Sequence, residues 1–401
     1  MSDSRISLKT VSVVYNVYAE YAEMRLNHLG SVYMQRVSDD FGKNLSVSAS
    51  AAMEYESQGE KMLKRVNELM AEREDISELL GMNPLYIMYD NNSNHLRFIS
   101  NVIKLNDYDL LAKTLPWVYK TYTSRNFSVD FFPEVLKAWM KAINEFLSPE
   151  GAAQVIEVYR AMLDSHNAAV EHAQEGLIQM KVGEDWKAIE RQTVLALLTG
   201  DYGKLREIAN RSINNEKSLA DFYLKVVQPA MYEIGYLWQT GEISVAEEHL
   251  ATSLMNRLMA STYSMIETVP SHPRRKAVVL SSQNEYHELG ARILADLLEL
   301  SGWNVSYLGV NTPVSEVLKH LKKNLPFLLA ISVTMSFNLD LTKKLIQSVR
   351  YDSDFETMKI MVGGLVINES EDLWKRLGAD GTAESAVEAI ELAKQWWEER
   401  E

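Results

Sequence analysis

Apolar residues recur at helical spacing through the first two-thirds of the chain. Val11, Val14, Tyr15, Tyr18 and Tyr21 fall three or four positions apart, which predicts long helices over 8–80 with this stripe as core. Residues 81–95 interrupt the period, and Asn91, Asn92, Ser93 and Asn94 read as a polar turn or cap cluster. Helix resumes through Trp117, Tyr119 and Tyr122, and breaks at Arg125, Asn126, Phe127 and Ser128. Pro133 then suits the first position of a further helix holding Trp139 and Phe146, and another helix is expected over 150–172.

Four shorter helical segments follow, over 186–198, 203–213, 219–238 and 244–266. Gly200 and Asp201 close the first, and Ser244 with Glu247 has capping-box spacing at the start of the fourth. Short connections of this kind predict a four-helix bundle. After Pro270 and Pro273 the pattern changes. Brief continuous apolar runs at 276–281, 304–309, 327–333 and 359–363 alternate with helical segments at 289–300, 314–322, 339–349 and from Glu384. Such runs are the signature of buried parallel strands. The expected architecture is multidomain. An all-α, globin-like region spans 1–180, a central four-helix bundle 184–268, and an α/β doubly wound parallel sheet 272–401. Open sheets of this kind bind ligands at the carboxyl ends of their strands.

Composition narrows the chemistry. The 401 residues include no cysteine, which excludes disulfides, thiolate metal sites and thioether-linked cofactors. Lys and Arg total 41 against 55 Asp and Glu, a net charge of −14, so direct DNA binding is not expected. No uncharged apolar run approaches the ~20 residues of a bilayer span, and the first ten residues lack an apolar signal core. The expectation is a cytoplasmic protein with no membrane contact.

The loop after the first predicted strand carries Glu285, His287 and Gly290. A histidine there can offer one ring nitrogen to a metal while the other donates to a carboxylate, and a glycine admits a bulky planar ligand. Alone, the pattern fits an ordinary surface histidine. However, Ser332 and Thr334 end the third strand and Gly363 and Gly364 the fourth, and small or hydroxyl residues at consecutive strand ends leave a slot.

With these motifs, residues 272–401 resemble the cobalamin-binding Rossmann-like domain, whose pattern is D/E-x-H-x-x-G, then S-x-L/T, then GG. The resemblance implies that His287 replaces the cofactor's own base as lower cobalt ligand, and that Ser332, Thr334, Gly363 and Gly364 line the slot for the displaced nucleotide tail. Trp238 is followed after nine residues by Glu248 and His249, and this pattern is similar to the cap of CarH-type adenosylcobalamin photoreceptors. It implies that Trp238 packs over the adenosyl group with Glu248 and His249 around it. Gln239 departs from that branch, where a histidine often follows the tryptophan and ligates cobalt after photolysis, and no winged-helix DNA-binding domain is present.

A helical domain before such a module resembles the photocobilins, which join a bilin-binding domain to cobalamin. That resemblance makes His95, Arg97, Trp117, Tyr119, Arg125 and His166 candidate contacts for biliverdin or a related bilin, with Lys120 as a further cation and Tyr122, Phe127 and Trp139 as further walls. In a haem reading His95 or His166 would ligate iron. The expected function is a light switch based on adenosylcobalamin photolysis, not an enzyme, acting on an unknown output partner, with a homodimer among the assemblies to be tested. The alternatives are a corrinoid methyl carrier of a methyltransferase system and a haem or redox sensor.

Overall fold

The computed structural model describes residue 41 and residues 45–174, 183–266 and 271–400; the Val and Tyr stripe at 11–21 lies outside them. Contacts divide the described chain into a helical unit, 45–174 with Gln239–Gly241, and a bundle-and-sheet unit holding 183–238 and 242–400. No helix among the described residues is long and apolar enough to cross a membrane.

The helical unit contains α1 (Ala49–Ala71), the short α2 (Ile76–Leu79), α3 (Leu85–Leu105), α4 (Tyr108–Thr123), α5 (Phe131–Phe146), α6 (Pro149–Asp164) and α7 (His166–Gln174). Side chains cap three of the starts. Ser48 accepts from the Ala51 amide, Asp107 from Leu110 and Ser148 from Gly151, each satisfying an amide that has no partner inside its helix. Helix α1 packs against α3, α5 and α6, and Tyr55, Met62, Val66, Trp139, Ile143, Val155 and Tyr159 fill the space between them, all fully buried.

Three local expectations change. The Asn91–Asn94 run is not a turn but the middle of α3. Asn92 is buried and donates to Asn67 Oδ1 at 2.8 Å, so a tertiary partner overrides the poor helix propensity of asparagine. Pro133 takes the third position of α5 rather than the first, where its missing N–H still costs no helical bond. The stretch at 150–172 is two helices, divided at Ser165.

In the second unit the bundle comprises α8 (Glu184–Leu198), α9 (Tyr202–Ser212), α10 (Glu216–Phe222), α11 (Gln228–Gln239) and α12 (Val245–Ile266). A π-helical turn, Tyr223–Val227, joins α10 to α11, so the third expected helix is continuous but carries one wide turn. Ser244 and Glu247 form the expected box: the Glu247 carboxylate accepts from the Ser244 amide and hydroxyl at 2.7 Å each.

The sheet has five parallel strands in the order β2-β1-β3-β4-β5. They are β1 (Lys276–Ser281), β2 (Asn304–Tyr307), β3 (Leu328–Ser332), β4 (Lys359–Gly363) and a two-residue β5 (Gly381–Thr382). The connecting helices are α13 (Leu289–Leu300), α14 (Val314–Asn324), α15 (Leu339–Arg350), the short α16 (Leu365–Asn368) and α17 (Leu373–Leu377), and finally α18 (Ala386–Glu398). The short elements β5, α16 and α17 have no period long enough to read in sequence. Bundle and sheet share one apolar cluster, running from Leu197, Phe222 and Leu258 to Val279, Leu297 and Trp397. The strand order reverses between β1 and β3, so the chain leaves those two strands in opposite directions and opens a crevice at their carboxyl ends. Ser281, Ser332 and Gly363 stand in register across β1, β3 and β4, bringing the three sequence motifs to one edge.

Gly364 is fixed by backbone geometry. Its φ is +102°, and a Cβ there would lie 2.4 Å from the Val333 carbonyl oxygen. Gly364→Ala is expected to lower the unfolding free energy by about 2–4 kcal/mol, measured by urea denaturation followed by circular dichroism.

Candidate functional site

The loop from β1 to α13 is organised around one carboxylate. Glu285 is 1% exposed and accepts six hydrogen bonds. Its Oε1 takes the Tyr286 amide at 3.1 Å, the His287 amide at 3.2 Å and His287 Nδ1 at 2.5 Å. Its Oε2 takes the Thr334 and Met335 amides at 2.9 Å each and Asn338 Nδ2 at 3.1 Å. Burial pushes the Glu285 carboxyl up, but the His287 bond and charge and the Met335 and Thr334 amides outweigh it and hold the group down at about 2. Burial works in the opposite sense on His287, and the bond and charge of Glu285 together with the charge of Glu248 leave its imidazole above the ordinary value.

This arrangement fixes the ring. With Nδ1 committed to Glu285, the remaining nitrogen, Nε2, belongs to a side chain that is 58% exposed. Loss of one proton leaves Nδ1–H donating to Glu285 and a lone pair on Nε2, the tautomer a metal needs. The Ser281 hydroxyl also donates to the His287 carbonyl at 3.1 Å, pinning the loop to the end of β1. Among the described residues no group of three or more His, Asp or Glu is placed to cage a free ion. A single imidazole would still serve as one ligand to a metal whose other positions a cofactor supplies.

The second and third motifs meet the first. A Cβ on Gly290 would come no closer than 3.9 Å to anything, its neighbour being Ser332 Oγ. Gly309, after β2, has open space around it. Ser332, Thr334, Gly363 and Gly364 are all half-buried at the same sheet edge. Tyr286 and Leu365 leave 68% and 46% of their surface exposed at that edge, and such apolar area suits a large flat ligand. Asn338 is not legible in sequence: it is buried, lies 53 residues from Glu285, and reaches it only because α15 starts beside the β1 loop.

On the bundle, Trp238 is half-buried in the last turn of α11, and Glu248 and His249 open α12. Glu248 is bracketed by Thr252 Oγ1 at 2.8 Å and His249 Nδ1 at 2.6 Å. Asn256 Nδ2 donates to Glu288 Oε1 at 2.5 Å, tying α12 to the residue before α13. Gln239 is 5% exposed.

In the helical unit the candidate bilin contacts fall into separate groups. His95 lies 5.2 Å from Trp139 and bonds the Tyr159 hydroxyl at 3.1 Å, which in turn meets the Tyr55 hydroxyl at 2.7 Å. Burial pushes this imidazole down to about 4, so it is neutral at physiological pH. Tyr119 instead stacks on Phe132 at 3.7 Å and bonds His166 Nδ1 at 3.0 Å. Tyr119 and Trp139 are 2% and 0% exposed, so both rings are core rather than open walls. Trp117 is half-buried, Arg97 is exposed, and Arg125 donates to the Thr121 carbonyl at 2.7 Å.

Two family models match, each described as a B12 binding domain, one over residues 189–261 and the other over 275–391. The chain therefore carries B12-binding domains in its bundle and its sheet. The dimethylamine corrinoid protein of Methanosarcina barkeri is 24% identical over 208 residues, 51% of this chain and 91% of that protein. The monomethylamine corrinoid protein 1 of Methanosarcina mazei is 24% identical over 206 residues, 49% of this chain and 92% of that one. The solved monomethylamine corrinoid protein of Methanosarcina barkeri aligns over 52% of this chain and 99% of its own, at 20% identity and a TM-score of 0.45.

Two substitutions separate packing from site. Glu285→Ala strands the Thr334 and Met335 amides and is expected to cost roughly 1–3 kcal/mol of stability. Gly290→Ala adds a Cβ that comes no closer than 3.9 Å to its neighbour Ser332 Oγ and is expected to stay within about 0.5 kcal/mol of the parent. Urea unfolding of the ligand-free chain measures both.

Proposed function

We propose that the chain is a corrinoid-carrying protein that presents a cobalt-bound group to a separate partner protein. His287 would hold the cobalt through Nε2, Glu285 would set its tautomer, Gly290 would leave room for the planar ring, and Ser332, Thr334, Gly363 and Gly364 would form the slot for the displaced nucleotide tail. The observation that carries this reading is the commitment of His287 Nδ1 to a buried carboxylate, with the imidazole otherwise exposed. The residues present fit the group: donor chemistry suits cobalt, and the open space at Gly290 suits a bulky planar face. A bound corrin supplies a cobalt centre that holds and releases an upper-face ligand. The chain's own residues bind it, orient it and tune the basicity of the lower nitrogen. The carrier role is supported by the relatives, which are named as methylamine corrinoid proteins.

A second reading has its own observation. Trp238 ends α11, and the Glu248–His249 pair opens α12 with its carboxylate already held in place. An aromatic and a positioned acceptor suit an adenosyl group on the upper face, as in a light switch. In that reading the helical unit is the place for a bilin, held without a thioether because the chain has no cysteine; the buried His95 and Tyr119 clusters would have to open to admit it.

One experiment separates the two. The full chain is loaded with methylcobalamin or adenosylcobalamin, and spectra are recorded in the dark, under green light, and with a methyl-accepting partner. Methyl loss that requires the partner supports the carrier. Selective adenosylcobalamin binding with light-driven loss supports the switch. In either case His287→Ala is expected to weaken hydroxocobalamin binding by at least about tenfold, equivalent to ~1.4 kcal/mol. Unchanged affinity and spectrum in that variant would remove the ligand assignment.

A further inference from the structure

The interface between bundle and sheet buries a polar chain that the corrin site does not use. Tyr223, in the π-helical turn, is 0% exposed. Its hydroxyl lies 2.8 Å from Thr262 Oγ1 on α12 and 3.0 Å from Asp296 Oδ2 on α13. The Thr262 hydroxyl also reaches the Met259 carbonyl at 2.8 Å. Thr262 and Asp296 are 8% and 5% exposed.

Counting protons separates two states of this chain. Three contacts at hydrogen-bond distance need three protons. The Tyr223 and Thr262 hydroxyls supply two, and the Met259 carbonyl supplies none. If Asp296 is ionised, Tyr223 donates to the carboxylate and Thr262 has one proton for two partners, so either its contact with Met259 or its contact with Tyr223 lapses. If Asp296 is protonated, all three are satisfied in one direction. Asp296 donates to Tyr223, Tyr223 to Thr262, and Thr262 to the Met259 carbonyl.

We propose that Asp296 is a neutral carboxylic acid under mildly acid conditions, and that in this form it is a positioning residue that keeps the Trp238 helix in register with the His287 loop. The proposal rests on the second reading above, in which Trp238 and His287 lie on opposite faces of a corrin. Both ends of the chain are well placed for the role. Helix α13, which carries Asp296, opens directly after the His287 loop, and the π-turn that carries Tyr223 leads straight into α11 and Trp238. A π-turn holds one residue more than the α-turn it replaces, so it sets the phase of everything after it and is a recurrent mark of functional helices.

The groups facing Asp296 agree. Burial pushes its carboxyl up to about 6, against the Tyr223 bond and the Arg292 charge, which pull it down. Glu299, one turn along α13, is pushed up to about 7 by burial and by Asp296, against a bond from Tyr263 on α12. Tyr307 on β2 is raised by burial and by the Glu288 and Asp296 charges, against Arg292. Arg292 is the one cation among these groups, so ionising both acids leaves net negative charge in the interface. An acid whose folded midpoint is raised favours the fold below that midpoint, and its contribution is lost as pH rises through it. The neutral latch is therefore present at acid pH and released toward pH 8.

The test uses the full chain. In the ligand-free protein with carbon-13-labelled aspartate, infrared spectra should show a protonated-carboxyl band at about pH 5 that fades by about pH 8 and is missing in Asp296→Asn. In parallel, the ratio of adenosylcobalamin to hydroxocobalamin affinity is measured across that range. In the parent the ratio should fall by about five- to tenfold as pH rises, the scale of one buried hydrogen bond. Asp296→Asn, whose amide also donates to Tyr223, should hold the acid-side ratio at every pH. Tyr223→Phe should give the low ratio at every pH. A purely structural role would instead weaken both cobalamins alike. Absence of an Asp296-dependent band, or an Asp296→Asn variant that behaves like Tyr223→Phe, overturns the proposal. A band that titrates as expected while His287→Ala leaves cobalamin binding intact overturns the positioning role through the site reading, and leaves the proton assignment standing.

Discussion

The proposed corrin site depends on one buried carboxylate. Glu285 gathers His287 and two amides of its own loop with two amides and a side-chain amide from the loop after β3. Without that centre, the His287 ring would lose the partner that orients it, and the loops after β1 and β3 would lose the carboxylate that gathers their amides. With it, strand ends, loop and imidazole become one object. An ionised carboxylate at 1% exposure is stable only because every lone pair is used. The same completeness is what leaves Nε2 as the ring atom available to a ligand.

The rest of the bundle-and-sheet unit supports that object. Register across β1, β3 and β4 aligns Ser281, Ser332 and Gly363. Helix α13 ties the loop to the sheet, and α12 ties it to the bundle through Asn256 and Glu288. The buried Tyr223–Thr262–Asp296 chain then links the helix behind His287 to the turn before Trp238. Each link is short, and the Tyr223, Thr262 and Asp296 link is buried, so the proposed relation between the His287 loop and Trp238 is set by packing rather than by flexible loops.

Much of this is legible in sequence where the signal is local. The strand runs at 276–281 and 359–363 are continuous and apolar, and the structure keeps those limits. Glu285, His287 and Gly290 sit within six residues, so their spacing can be read from one short stretch of sequence. What escapes is non-local or contrary to propensity. Asn91–Asn94 reads as a turn until Asn67 supplies a partner for Asn92. The π-turn leaves no mark in the periodicity, because one extra residue in a buried helix looks like ordinary apolar sequence. Asn338 and Asp296 meet their partners across 53 and 73 residues, and nothing in a single sequence reports such pairings. In the helical unit the aromatic residues read as cofactor walls, whereas Tyr119 and Trp139 are core; composition alone does not distinguish the two uses of a large ring.

Everything proposed for the site turns on His287 Nε2, and not the cofactor's own base, binding cobalt from below. Electron paramagnetic resonance of the full chain loaded with unlabelled cob(II)alamin tests it directly, because the axial nitrogen splits the cobalt lines. If the nitrogen comes from the protein, growing the chain in nitrogen-15 converts each triplet to a doublet, and His287→Ala abolishes the doublet. If triplets persist in the nitrogen-15 protein, the axial nitrogen belongs to the cofactor, and His287 is not the lower ligand.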